Sequence, residues 1–178
     1  MAGLYMLHYF QRSFIFELMM RGKSTMPIAI MLMGLIFNAL NDHLIGGWLY
    51  GHAPEGMYGI EWLYSPQFII GIIIFFTGMA INLHSDHVIR NLRKPGDTRH
   101  YIPRKGFYKY VTSANYFGEL TEWTGYAILT WSPAGLLFAI WTFANLGPRA
   151  KSLTEKYEKE FGEEYTKLNK RHIIPFIW

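Results

Sequence analysis

The sequence has no cysteine. Disulfides, zinc–thiolate sites, thiol nucleophiles and c-type haem attachment are excluded at once. Charge is scarce as well. Only 17% of the 178 residues are Asp, Glu, Lys or Arg, against 51% hydrophobic and 17% aromatic. That balance is too apolar for an ordinary soluble domain of this length and points to a membrane. Lys and Arg are missing altogether from 24–89 and from 110–148. The net charge of +4 is therefore confined to particular loops, so nucleic acid is not an expected partner. The opening MAGLYMLHYF has no basic n-region and no small-residue cleavage pattern, so no signal peptide is expected. Dinucleotide-fold, P-loop and zincin motifs are also lacking. No internal repeat interrupts the chain.

What is present reads as one membrane domain over 1–178. Residues 4–20 suggest a helix that is apolar and aromatic yet holds His8, Tyr9, Gln11, Arg12 and Glu17. Such a helix is too polar to face lipid on every side. The uncharged run Ser24 to Asn41 is near the length needed to span a bilayer. A Gly- and Tyr-rich loop over 42–66 follows, carrying Asp42, Glu55 and Glu61. Residues 67–93 predict a long helix of roughly 40 Å at 1.5 Å per residue. Lys94-Pro95-Gly96 ends it and opens a loop to residue 112. A fourth helix over 113–131 stops at Ser132-Pro133, and proline suits the first turn of a fifth helix beginning near 134. The fifth leaves the membrane near Arg149. The alternating charge of Lys151 to Tyr165 predicts a solvent-exposed tail helix, and the apolar end IIPFIW packs back or lies in the interface.

The expected fold is thus an all-α integral membrane protein with about five transmembrane helices and a cytoplasmic C-terminal helix. The bases fall in three clusters: Arg12, Arg21 and Lys23, then seven from Arg90 to Lys109, then seven from Arg149 onward. Five spans put all three on one side. The positive-inside rule then places the N-terminus outside and the C-terminus in the cytoplasm, in a bacterial inner membrane or the endoplasmic reticulum.

Two polar stripes mark the functional region. Asn82, Asp86 and Arg93 lie at i, i+4 and i+11, within about 40° of one another on a helix. Asn115, Glu119 and Glu122 lie at i, i+4 and i+7 of the next helix. Polar groups at membrane depth are functional candidates. A ligand rich in hydroxyls, amides and phosphates would satisfy both stripes. The structural alternative is helix–helix hydrogen bonding for Asn115 and Glu119, and headgroup binding for the basic loop. His84, Asp86 and His87 do not make a metal site, because positions i and i+2 diverge on a helix, and no metal is expected.

The segments INLHSDHVIRNLRKPGDT and IPRKGFYKYVTSANYFGELTEWTGYA resemble the C-terminal signature of the steroid 5α-reductases. HYFQRSFIFELMMRG and the ending IIPFIW resemble it too, so the likeness covers nearly the whole chain. The resemblance implies a membrane enzyme that uses NADPH to reduce the C4–C5 double bond of 3-oxo-Δ4 steroids. It further implies a lipophilic enone substrate that enters from the bilayer. By position, it implies cofactor contacts at Asn82, Asp86, Arg93, Asn115, Glu119 and Tyr157, with Arg149, Arg21 and Lys23 as phosphate neighbours. Tyr9 corresponds to the tyrosine that bonds the substrate's C3 carbonyl, and Tyr9 and Glu119 are the catalytic candidates. The family has further N-terminal helices, one bearing a glutamate that pairs with this tyrosine. The resemblance starts the present chain at the third helix, so that glutamate is not expected in it. Arg99-His100-Tyr101 stands where relatives carry an aromatic residue followed by a base.

Other classes remain open on sequence. Isoprenylcysteine-type methyltransferases share a helical C-terminal architecture and bind S-adenosylmethionine there. Enoyl-CoA and polyprenol-type reductases are more distant relatives, and a non-enzymatic scaffold is the third reading. The seven bases from Arg90 to Lys109 favour a cofactor with a 2′-phosphate.

Overall fold

A computed structural model describes residues 1–19, 27–94, 96–97 and 99–178. The architecture is helical, and the one β contact among the described residues is an isolated parallel bridge between Val111 and Arg171. The N-terminal helix runs as α1 (Ala2–Phe10), a π-helical turn (Gln11–Ile15) and α2 (Phe16–Met19). Then come α3 (Ile28–Gly47), α4 (Pro66–Arg90), α5 (Ala114–Thr130), α6 (Pro133–Phe161) and the short α7 (Glu163–Thr166).

The two longest helices, α4 and α6, both open on Ser-Pro. The Ser65 hydroxyl accepts from the Phe68 N–H at 3.2 Å and Pro66 opens α4. The Ser132 hydroxyl accepts from the Gly135 N–H at 2.9 Å and Pro133 opens α6. Each serine satisfies an orphan donor of the first turn, and each proline sits where no N–H is needed. Trp131, in the left-handed region at φ 47°, reverses the chain between α5 and α6.

The centre of the fold is the antiparallel pair α4–α5. Gly71 and Gly78 on α4 face Gly118 and Gly125 on α5, each pair seven residues apart. A Cβ at Gly71 would strike the Leu129 backbone, and one at Gly78 the Glu122 backbone. A Cβ at Gly118 would strike the Asn82 backbone, and one at Gly125 the Phe75 backbone. Small residues at heptad spacing let the two backbones touch. Buried Ser85 continues the α4 row by another seven residues. This contact fixes which side chains of the polar stripes can meet. Around it pack Tyr5, Trp123, Tyr126, Leu129 and Phe138.

Three expectations change. The second helix does not end at Asn41. It continues to Gly47 and through a π-helical turn at Trp48–His52, so Asp42 lies on a helix and not in a loop. The third ends at Arg90, before Arg93, because Asn91 leaves helical geometry with its side chain bonded back to the His87 carbonyl at 2.8 Å. The tail continues the fifth helix, as α6 passes through Pro148, but it stops at Phe161, where Gly162 takes φ 54°, and not at Tyr165. The C-terminal end does fold back, with Ile173 buried against Leu146 and Ala150 of α6.

Two helical stretches, Ile28–His52 and Pro66–Arg90, are long and apolar enough to cross a membrane. The first helix, α5 and α6 are interrupted by polar and charged residues.

Candidate active site

The N-terminal helix lies across α5, and its polar residues meet the α4–α5 stripes there. His8 Nδ1 and Glu122 Oε1 are 2.9 Å apart, both buried. The π-helical turn presents Arg12, whose Nη1 donates to Asp86 Oδ2 at 3.1 Å. Asp86 is 4% exposed, so this guanidinium is its main compensation against burial in the helix pair. Arg12 also stacks over Phe16 at 4.3 Å, and Arg90 approaches the same ring at 5.7 Å. Arg12, Phe16, Asp86 and Arg90 thus form one polar and aromatic track along the end of α4.

Two cavities flank this track. The inner one, of about 210 Å³, is lined by Tyr9, Arg12 and Glu119 and by the aromatic Phe37, Trp123 and Phe138, among others. The outer one, of about 480 Å³, is lined by Arg90, Arg93, Lys94, Lys156, Asp97 and Tyr157, among others. Four cations thus face one carboxylate. Asp97 is itself engaged, accepting from Arg99 Nη2 at 2.9 Å and from the Tyr101 hydroxyl at 2.6 Å. Arg99 and Tyr101 hold the Asp97 carboxyl well below the usual carboxylate range, so it stays ionised at neutral pH. His100 Nδ1 lies 2.6 Å from Glu160 Oε1 and ties this loop to α6.

The expected site residues divide accordingly. Tyr9 and Glu119 share the inner cavity, and Arg93 and Tyr157 share the outer one. Arg93 reaches it from the turn after α4 and not from the helix face. Asp86 sits on the track between them. Asn82 is buried and its Nδ2 donates to the Asn115 carbonyl at 3.0 Å, a bond across the helix pair. Asn115 Oδ1 accepts from the Tyr108 hydroxyl at 3.4 Å. Arg149 is exposed on α6 and lines neither cavity. Arg21 and Lys23 lie outside the described residues. The three residues of the considered metal cluster diverge: His84 packs on Gly106, His87 pairs with Asn91, and Asp86 faces Arg12.

Sequence reasoning missed Arg12, Arg90, Lys156 and Asn41. Arg90 had a signal, since it follows Asp86 by four residues and shares its face. Arg12 was visible as the one Lys or Arg among residues 4–20. Asn41, at the end of an uncharged run, gave none.

Comparison with known proteins follows the same grain. A family model described as 3-oxo-5-alpha-steroid 4-dehydrogenase matches residues 24–178. The chain belongs to this family. It is 45% identical over 178 residues to human 3-oxo-5-alpha-steroid 4-dehydrogenase 1, covering all of this chain and 67% of that protein. Identity to the human type 2 protein is 41% over 180 residues, again over the whole chain and 68% of the relative. Steroid 5-alpha-reductase DET2 of Arabidopsis thaliana is 38% identical over 180 residues, covering 98% of this chain and 68% of its own length. The chain therefore spans about two thirds of the length of these relatives. By their name the family's members are oxidoreductases acting on a CH–CH group.

Proposed function

We propose that the chain reduces the C4–C5 double bond of a 3-oxo-Δ4 steroid or a related lipophilic enone, with NADPH as the reductant. The observation that carries this reading is the pairing of two unlike cavities across one track. The inner cavity joins a tyrosine hydroxyl and a carboxyl to aromatic walls, and the outer gathers four cations. Arg90, Arg93, Lys94 and Lys156 suit a pyrophosphate and a 2′-phosphate. Tyr157 offers a ring and a hydroxyl beside them, and Asp86 keeps Arg12 oriented between the two ends. When bound, NADPH supplies the hydride that adds to the enone β-carbon.

The protein's own part is electrostatic. Tyr9 donates its hydroxyl to the C3 oxygen, where negative charge develops as the enolate forms. Glu119 and Arg12 line the same cavity and fix the polar end, while Phe37, Trp123 and Phe138 exclude water. A volume of about 210 Å³ takes the enone ring. The rest of the steroid lies along the apolar outer faces of the N-terminal helix and α3, where Phe14 and Leu40 are each 60% exposed.

Those outer faces also support the membrane reading. Met33, Ile36, Ile73 and Leu136 are all more than half exposed, although they are large and apolar. A lipid environment covers such faces. With five spans, His52 and the C-terminus lie on opposite sides and the C-terminus is cytoplasmic. Reporter tags at 52 and 178 check this; accessibility of both from one side would remove the topology.

Cofactor binding gives the direct test. NADPH is expected to bind more tightly than NADH, read by calorimetric titration or by nicotinamide fluorescence. Arg93→Ala is expected to weaken NADPH by roughly 1.5–3 kcal/mol, the scale of a hydrogen bond to a charged group. Equal affinities for the two cofactors would mean that no 2′-phosphate is read.

A further inference from the structure

The hydroxyl of Tyr9 is not isolated. Asn41, on α3, is 4% exposed and places Nδ2 at 2.9 Å from the Tyr5 hydroxyl and 3.4 Å from the Tyr9 hydroxyl. Tyr5 in turn donates to Asp42 Oδ1. The Tyr5 and Tyr9 rings lie 4.7 Å apart between centroids. This chain of bonds fixes the amide's orientation. Because Tyr5 spends its hydrogen on Asp42, its oxygen accepts, and of the two ends of the Asn41 amide the NH₂ end is the one that can donate to it. The same NH₂ group is within reach of the Tyr9 oxygen and can donate to it as well.

We propose that Asn41 is a positioning residue that aims and activates the Tyr9 hydroxyl, with Tyr5 and Asp42 holding Asn41 in place. The proposal rests on the reading of Tyr9 as donor to the substrate carbonyl. An N–H on the phenol oxygen occupies an acceptor site and leaves the O–H free to point into the inner cavity. It also stabilises negative charge on that oxygen, which makes the hydroxyl a stronger hydrogen-bond donor. The charged or titratable groups facing Tyr9 are Tyr5, His8 and Arg12 from its own helix, Asp42 from α3 and Glu119 from α5. His8 is already paired with Glu122 and Arg12 with Asp86.

The test uses the full chain in detergent and has two arms. The first needs no turnover. The C–O stretch of Tyr9, isolated by isotope-edited infrared difference against Tyr9→Phe, is expected to move up in frequency in Asn41→Leu as the oxygen loses its donor. An unmoved band overturns the assignment, whatever activity the chain has. The second arm follows steroid reduction. Asn41→Leu is expected to lower kcat roughly three- to tenfold, with KM and NADPH affinity retained. Asn41→Asp can donate when protonated and cannot when ionised, so its rate should fall with rising pH as that carboxyl loses its proton, a step absent from the parent. An unchanged kcat, or a parental pH profile in Asn41→Asp, overturns the proposal. A parent chain that binds no steroid and reduces none removes the functional reading, and the infrared arm still decides the role of Asn41.

Discussion

Gly78→Val is expected to abolish folded protein. The reason is the kind of atom that the new side chain would meet. At Gly78 even a Cβ overlaps the Glu122 backbone and crowds the Gly118 carbonyl. A side chain can rotate away from a clash, but two backbones must separate. Separation of α4 from α5 would break the Asn82–Asn115 bond and pull Asp86 away from the helix that carries Glu119 and Glu122. Ordinary overpacking costs roughly 1–3 kcal/mol. Here the cost should exceed about 4 kcal/mol, the range in which single changes unfold marginal proteins. Gly34→Ala is the control, because a Cβ there meets nothing within 4 Å. It should be neutral or stabilising by up to about 1 kcal/mol, the helix-propensity difference. Thermal melting and gel filtration in detergent read both. A Gly78→Val chain that melts within a degree or two of the parent would show that the α4–α5 contact is looser than its glycines imply.

That contact also explains how far the sequence could be read. The polar stripes were visible because i, i+4 spacing places side chains on one face without knowledge of the partner. Asn82, Asp86, Asn115, Glu119 and Glu122 do lie on facing helices. The four glycines were harder to interpret. Glycine inside an apolar run signals close approach, but which helix approaches depends on register, and register is a tertiary fact. The same limit hid the partners of the stripes. Arg12 and Asp86 are 74 residues apart, and His8 and Glu122 are 114 apart. No local spacing announces such pairs. Helix ends were misread for a different reason. Asp42 and His43 looked like loop residues because they are polar, yet α3 continues past them, with Asp42 bonded to Tyr5. Arg93 looked helical because the periodicity ran on, yet Asn91 closes the helix with its own side chain.

Tyr9→Phe should lower turnover of a 3-oxo-Δ4 steroid about 10²–10³-fold, the scale seen when one preorganised donor to a developing oxyanion is removed. The change deletes one oxygen and keeps the ring, so the contacts with His8, Tyr5 and Trp123 survive. Stability should therefore move little, apart from the acceptor that Asn41 loses at 3.4 Å. NADPH affinity should also stay constant, because the cations of the outer cavity lie at the other end of the Arg12–Asp86–Arg90 track. The loss belongs in kcat more than in KM, since the hydroxyl is worth most when charge sits on the carbonyl oxygen. Single-turnover reduction of a ketosteroid by chain preloaded with NADPH isolates that step. A Tyr9→Phe chain that retains both NADPH and full single-turnover rate would take Tyr9 out of the chemistry. The donor would then have to come from another polar group lining the cavity, with Arg12 and a protonated Glu119 the first two to try. The rates of Arg12→Lys and Glu119→Gln would separate those two, because Arg12→Lys keeps the charge and loses the planar fork, whereas Glu119→Gln keeps the size and loses the titratable proton.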